Sequence, residues 1–316
     1  MTGFRFSHNI FGITGSGVFA ETCRRAEQGG YDAVYAADHL GTASPFPLLV
    51  AAAAATERLR VGTLVLNVGF WNPALLAREI ATTDVLTEGR LEIGLGAGHM
   101  KWEFDAAGID WEPFGARVDR LAATVDELRR QFRADGYEQQ AALRENFGVP
   151  VLRPVQRAGF DGSGPPLLIG GTGERVLRLA ARVADIVGVA GAVQIPGRPP
   201  GTMRLATAAE TDERVRFTRA QAGARAADAE WQALVQAVIE TDDRRSAAGE
   251  LAASLGGVMT ERDLLDTPFV LVGTVDEMAR QILTNRERYG FTHYTVHQPH
   301  AEAFAPVIAR VRALEG

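Results

Sequence analysis

Three short stretches of this chain carry residues whose types and spacing could do chemistry. The first is Asp38-His39 in "AADHLGT". Histidine titrates near neutral pH, so His39 can donate a hydrogen bond or act as acid or base, while the adjacent Asp38 can orient a neighbour. The plain alternative is a capping Asp and a structural His. The second stretch is "GLGAGHMKWEF" at 94–104, which holds Gly96, Ala97, Gly98 and a second candidate, His99. The third is "LLIGGTGERVLRLAARVAD" at 167–185, where an apolar run meets Gly170, Gly171 and Gly173 and a helical pattern begins at once. Glycines let a backbone approach a ligand closely. The N–H groups of Thr172–Arg175 would emerge at a helix N-terminus, where the macrodipole favours an anion. Thr172 adds a hydroxyl donor. A tight strand-to-helix turn with no ligand is the competing reading.

Other chemistries fit less well. "GTGERV" at 171–176 begins a G-x-G-x-x-G fingerprint but places Val176 in its third slot, and the next apolar run ends "GVAG" without an acid. Both features argue against a dinucleotide site. His293, His297 and His300 lie close in sequence, yet no carboxylate or cysteine completes a metal set, so no metal is expected. No G-x-S-x-G elbow is present to indicate a serine hydrolase.

The elements that must position these groups alternate in type. Apolar or β-branched runs at Phe4–Phe11, Ala33–Ala37, Val61–Asn67, Leu91–Gly94, Leu167–Gly170, Ile186–Ala190, Leu234–Glu240 and His293–His297 read as strands. Amphipathic segments lie between them. Val118, Leu121, Ala122, Val125, Leu128 and Phe132 share one helical face, and Val176, Leu177, Ala180, Val183 and Ala184 share another, opposite Arg175, Arg178 and Arg182. Eight strand–helix units over about 300 residues predict an α/β fold, a (β/α)8 TIM barrel with insertions in the loops at its C-terminal face. An open doubly wound sheet is the alternative. No linker divides the chain, so residues 1–316 are read as one barrel domain. The stretches 133–165 and 192–212 are read as insertions or lids.

Bulk properties set the remaining limits. The 316 residues carry a net charge of −6, with 46% hydrophobic and 23% charged residues. This is ordinary globular composition, and it argues against a nucleic acid or an anionic membrane as the main partner. The single cysteine, Cys23, permits no internal disulfide and fits the cytoplasm. The N-terminus lacks the apolar core of a signal peptide, and the longest apolar block, "LLVAAAAA", is too short to span a bilayer.

Taken together, "YDAVYAADHL", "LRVGTLVLNVGFWNPALLAREIATTDVLTEGRLEIGLGAGH", "LLIGGTGERVLRLAARVAD" and "TPFVLVGTVDEMARQI" resemble the luciferase-like monooxygenase superfamily, in its F420-dependent oxidoreductase branch. The resemblance implies a barrel that binds the deazaflavin F420, or alternatively FMN, at its C-terminal mouth. It implies that Gly170, Gly171, Thr172 and Gly173 hold the cofactor phosphate. It implies that Asn67, Val68 and Gly69 form a bulge behind the ring, often with a non-prolyl cis peptide, and that Gly96, Ala97 and Gly98 line the ring's other contacts. Asp38 belongs to the same cofactor site, and Arg175, with Arg178, would meet the anionic cofactor tail. His39 matches an active-site histidine, with His99 second; Phe70, Trp71 and Trp102 would form an apolar wall.

Two departures are visible. Ala43 stands in the region where sugar-phosphate and alcohol dehydrogenases of this kind carry a tryptophan, and His99 stands where they carry a glutamate. The expected activity is therefore hydride transfer that reduces an activated C=C or C=N bond of a small-molecule or peptide substrate. An FMN-dependent monooxygenase and a non-catalytic flavin-binding barrel are the rivals. A homodimer is expected by the same resemblance.

Overall fold

The computed structural model describes residues 3–199 and 201–316. Eight parallel strands form its centre: β1 (Arg5–Ile10), β2 (Ala33–Ala36), β3 (Arg60–Thr63), β4 (Leu91–Gly96), β5 (Leu167–Gly171), β6 (Ile186–Val189), β7 (Glu230–Val235) and β8 (His293–His297). Each pairs with its neighbours in chain order, β8 pairs with β1, and Val61↔Leu91 joins β3 to β4. The sheet is therefore closed, and the barrel predicted from strand–helix alternation is the observed fold.

Helices return the chain from each strand to the next, and local sequence fixes their ends. The helix Val275–Tyr289 starts at a capping box, Thr274 with Glu277, and ends at Gly290 with φ +76°. It buries Met278, Ala279 and Ile282 against the barrel. The helix Pro73–Leu86 has proline in its first turn, and the Asn72 side chain accepts from Ala74 and Leu75 N–H. No helix among the described residues is long and apolar enough to cross a membrane.

The barrel interior is polar at its N-terminal end. Arg5 donates to Glu92 Oε1 and Glu230 Oε2, each at 2.6 Å, and Tyr35 OH donates to Glu92 Oε2 at 2.5 Å. Arg60 completes the cage around Glu92. Above it, Ser7 Oγ lies 2.9 Å from His293 Nε2 and 2.7 Å from Thr295 Oγ1. Gln232 Nε2 donates to the same threonine at 2.7 Å.

This lining corrects one expected strand. The seventh barrel strand is Glu230–Val235, not Leu234–Glu240, because Glu230 and Gln232 face the polar column and break the apolar pattern. Residues Ala237–Glu240 leave the barrel and pair in parallel with Val270–Gly273, outside the closed sheet. The expected strand Val61–Asn67 is also interrupted: β3 ends at Thr63, a cis peptide joins Leu64 to Val65, and Leu66–Asn67 pairs with β4 again.

Between residues 133 and 165 the chain forms the short helix Ala141–Phe147 and a tight turn closed by the Gly159↔Gly164 bridge. Between 192 and 212 it forms an antiparallel hairpin, Ala192–Gln194 with Met203–Leu205, and then enters a helix at Ala208.

Candidate active site at the barrel mouth

His39 lies just past β2 and is about a third exposed, with 31% of its side chain accessible. Its Nδ1 lies 2.9 Å from Glu103 Oε1. Glu103 comes from the helix Lys101–Ala107 beyond β4, and its side chain is 3% exposed. The same carboxylate oxygen accepts from Leu40 N–H at 3.2 Å. A carboxylate accepting at Nδ1 places the proton there and leaves Nε2 as the nitrogen available to a ligand. Sequence reading missed Glu103. It sits inside "GLGAGHMKWEF", four residues past His99, and it supplies a carboxylate that the immediate post-glycine position does not.

His99 packs edge-on to His39, with ring centroids 5.7 Å apart. Burial, with the nearby His39 adding to it, pushes its pKa down and favours the neutral imidazole.

Asp38 faces the next loop. Its Oδ2 accepts from Trp71 Nε1 at 2.9 Å and from Asn67 N–H at 3.1 Å. Burial raises its pKa, and these two donors oppose that shift. Asn67 in turn caps a single turn, Val68–Phe70, by accepting from Gly69 N–H at 3.1 Å. Where a bulge with a cis peptide is expected at Asn67, Val68 and Gly69, the structure has this capped turn. The cis bond lies upstream, at Leu64–Val65. Val65 then packs over β4, where a Cβ on Gly96 would meet its Cγ2 at 2.5 Å.

Gly98 has φ +75°, and a Cβ there would stand 2.6 Å from Asn67 Oδ1. Ala97 is buried between Gly96 and Gly98. The structure therefore brings Asp38, His39, Asn67, Gly69, Gly96, Gly98, His99 and Glu103 to one side of the mouth.

The β5 turn lies beside them. The helix Glu174–Val183 begins at Gly173 with no side-chain cap. A Cβ on Gly170 would have nothing nearer than 3.6 Å, whereas one on Gly171 would meet Val176 at 2.8 Å. A methyl group at Gly170 would thus make only ordinary contacts with Gly188 and Leu168, and the N–H groups of the uncapped helix start are available to an anion. Arg175 donates to Asp119 Oδ1 at 2.7 Å on the neighbouring helix Phe114–Arg133, and Arg178 stacks over Phe217.

Of the aromatic wall, Trp71 packs on Phe46 and Phe70 on Phe104, but Trp102 is 54% exposed and lies outside it. The wall continues instead through Trp111, whose ring centroid is 5.0 Å from that of Phe104. The 192–205 hairpin reaches this side as well: a Cβ on Gly201 would lie 3.6 Å from His99 O.

An observation independent of motifs bears on what the mouth holds. Among the described residues, Asn9 Oδ1, Asn67 Nδ2 and His297 Nδ1 are buried without partners, and all three belong to strand ends at the mouth. Buried polar atoms of this kind call for a ligand or water. Together with the uncapped helix start at the glycine turn, they fit a flat, phosphorylated heterocycle.

Comparison with known proteins points the same way. The sequence profile of the family described as "Luciferase-like monooxygenase" matches residues 17–311. An F420-dependent glucose-6-phosphate dehydrogenase of Amycolatopsis mediterranei is 30% identical over 193 residues, which is 58% of this chain and 55% of that protein. The oxygenase component of a flavin-dependent trigonelline monooxygenase of Acinetobacter baylyi is 33% identical over 115 residues, 34% of this chain and 32% of that one. The chain thus spans about half the length of the dehydrogenase and a third of the oxygenase. An F420-dependent secondary alcohol dehydrogenase, solved with an F420-acetone adduct, superposes with a TM-score of 0.69 over 98% of this chain and 100% of that chain. At 18% identity this shows a shared fold.

Proposed function

The chain belongs to the luciferase-like monooxygenase family, and from that premise we propose that it is an F420-dependent oxidoreductase. It would act in the cytoplasm on a small organic, natural-product or peptide substrate and reduce an activated C=C or C=N bond. The observation that carries the reading is the His39–Glu103 pair, an imidazole fixed by a buried carboxylate beside a glycine-lined mouth.

Gly170, Gly171, Thr172 and Gly173 would hold the cofactor phosphate. Asn67, Val68 and Gly69, with Gly96, Ala97 and Gly98, would bound its ring, and Arg175 would exchange Asp119 for the anionic tail. Bound there in reduced form, the cofactor supplies a hydride.

The protein's own tasks are then orientation and proton supply. Effective hydride transfer needs the electrophilic carbon held at about 3–3.5 Å from the donor. In its imidazolium form, with Nδ1–H held by Glu103, His39 would give its Nε2 proton to the far atom of the reduced bond and become neutral, while Glu103 fixes the ring and steadies the charged form beforehand. Asp38 holds the Asn67 loop through the Asn67 N–H and the Trp71 indole. The hairpin over His99 limits water at the reacting end. The exposed apolar residues Leu75, Val85 and Leu86 on the helix Pro73–Leu86 would form part of a homodimer contact.

The Acinetobacter relative favours a second reading, FMN-dependent oxygenation. Turnover separates the two. Incubated anaerobically with candidate enones and imines, the enzyme is expected to oxidise reduced F420. Oxygen uptake driven by reduced FMN, with no oxidation of reduced F420 by any acceptor, would replace the first reading by the second.

A further inference from the structure

Arg117 lies in the first turn of the helix Phe114–Arg133 and is only 6% exposed. Its guanidinium carbon sits 3.4 Å from the centroid of the Trp111 ring, so one face of the group is covered by indole. Stacking satisfies a face and leaves the donor edge unpaired. Among the described residues, neither Nε nor Nη1 finds an acceptor, although both are buried. Among the described residues no carboxylate forms an ion pair with it; Glu112, near enough to act on its charge, pairs instead with Arg120 one turn along at 2.7 Å. Unpaired buried donors on a charged group are costly, and they call for a ligand, an ion or ordered water to pair them.

The position of the group indicates that partner. Trp111 continues the Phe70–Phe104 wall at the mouth. Arg117 is near enough for its charge to add to burial and His39 in holding the His99 pKa down, and His99 packs on His39. The guanidinium therefore belongs to the reacting end of the site. The turn at Gly170–Gly173 has backbone donors of its own, and Phe114, in the same helical turn as Arg117, packs against it: a Cβ on Gly173 would stand 3.3 Å from that ring.

We propose that Arg117 is a substrate-recognition residue whose unpaired guanidinium donors take a carboxylate or phosphate group of the substrate. This deepens the function proposed above by naming the substrate class, an anionic small molecule, and it rests on that reading for the location of the cofactor.

Arg117→Met and Arg117→Lys test it through thermal stability in inorganic phosphate and in acetate, against chloride at matched ionic strength. For the wild type, phosphate or acetate is expected to raise Tm with a saturable dose response. Arg117→Met is expected to weaken that response at least tenfold while melting no lower than wild type in chloride, because a buried unpaired charge has been replaced by an apolar chain of similar length. Arg117→Lys, which keeps the charge and loses the planar guanidinium donors, should fall between them. The titration is repeated with saturating F420. Persistence of the Arg117-dependent response assigns the anion to the substrate; its disappearance assigns Arg117 to the cofactor and overturns the proposal. An unchanged anion response in both variants, or a lower Tm of Arg117→Met in chloride, also overturns it. A wild type that binds neither F420 nor FMN but keeps the Arg117-dependent response would refute the cofactor and leave the anion site standing.

Discussion

Glu103 Oε1 lies 2.9 Å from His39 Nδ1 although the two residues are 64 positions apart, one after β2 and one on a helix beyond β4. This pairing turns a partly exposed histidine into a group with a fixed ring and a defined free nitrogen. His39→Ala is expected to lower kcat by about 10²- to 10⁴-fold, the usual range for removing a general acid or base. Glu103→Gln keeps an acceptor for Leu40 N–H but loses the negative charge. It should lower kcat by about tenfold or more and leave cofactor affinity unchanged. Steady-state kinetics with separate cofactor titrations checks both; equal losses in kcat and in cofactor binding would place the pair in cofactor holding instead.

Asp38 anchors the loop on the other side of His39. Asp38→Ala would strand the Trp71 indole N–H and the Asn67 N–H, each at a cost of about 1–3 kcal/mol if left unsatisfied. Thermal denaturation should show a fall of several degrees, and the cofactor should bind more weakly because the Asn67 turn loosens. Asp38→Asn, which retains an oxygen acceptor, should restore most of the stability. A variant as stable as wild type would mean that water replaces the carboxylate without penalty.

The two glycines that end β5 should behave differently. At Gly170 a methyl group would meet Gly188 O at 3.6 Å, an ordinary contact, whereas at Gly171 it would press on Val176 at 2.8 Å. Gly170→Ala is therefore expected to fold with an unchanged Tm and to bind F420 at least about tenfold more weakly, a loss of about 1.4 kcal/mol. Gly171→Ala should lose stability as well. Undiminished F420 affinity in Gly170→Ala would remove the phosphate from this turn.

Away from the mouth, His8 lies on the outer side of β1, against the ring of Tyr31 at 5.0 Å. It borders a cavity of about 580 Å³ that Arg25 and Glu302 also line. Burial lowers its pKa from 6.5 to about 4, against a weak opposing contact with Asn9 O. The folded chain thus binds this proton less readily than the unfolded one. The stabilisation is complete above about pH 6.5 and is lost as pH falls toward 4, a change of about 3 kcal/mol over that window. Urea unfolding of wild type and His8→Leu at pH 7 and pH 4 should show a clearly smaller acid loss in the variant. Equal losses would show that other groups control acid stability.

Much of this was legible in the sequence, and the failures share a cause. β5, all apolar residues and glycine, stands out as a run ending in glycine, and β4 does so despite its inward Glu92 because its other residues are apolar or glycine. β7 did not, because Glu230 and Gln232 point into a hydrogen-bonded interior, and the more apolar "LVQAVIE" beside it drew the assignment. At the site, the polar and glycine residues just past each strand mark the mouth, and these were readable from the strand ends alone. Glu103 and Arg117 were not, because helices bring them to the mouth, and neither a buried carboxylate at a histidine nor an unpaired guanidinium on an indole leaves a periodic trace. Arg175 was visible as one of a row on a helix face, and its pairing with Asp119 depends on a neighbouring helix that periodicity does not place.

Fluorescence titration of the purified chain with F420 and, separately, with FMN tests the central claim most directly. F420 is expected to bind saturably and at least tenfold more tightly than FMN, and the preference should shrink when Gly170 is replaced by alanine. Saturable binding of FMN with no measurable binding of F420 would contradict the account.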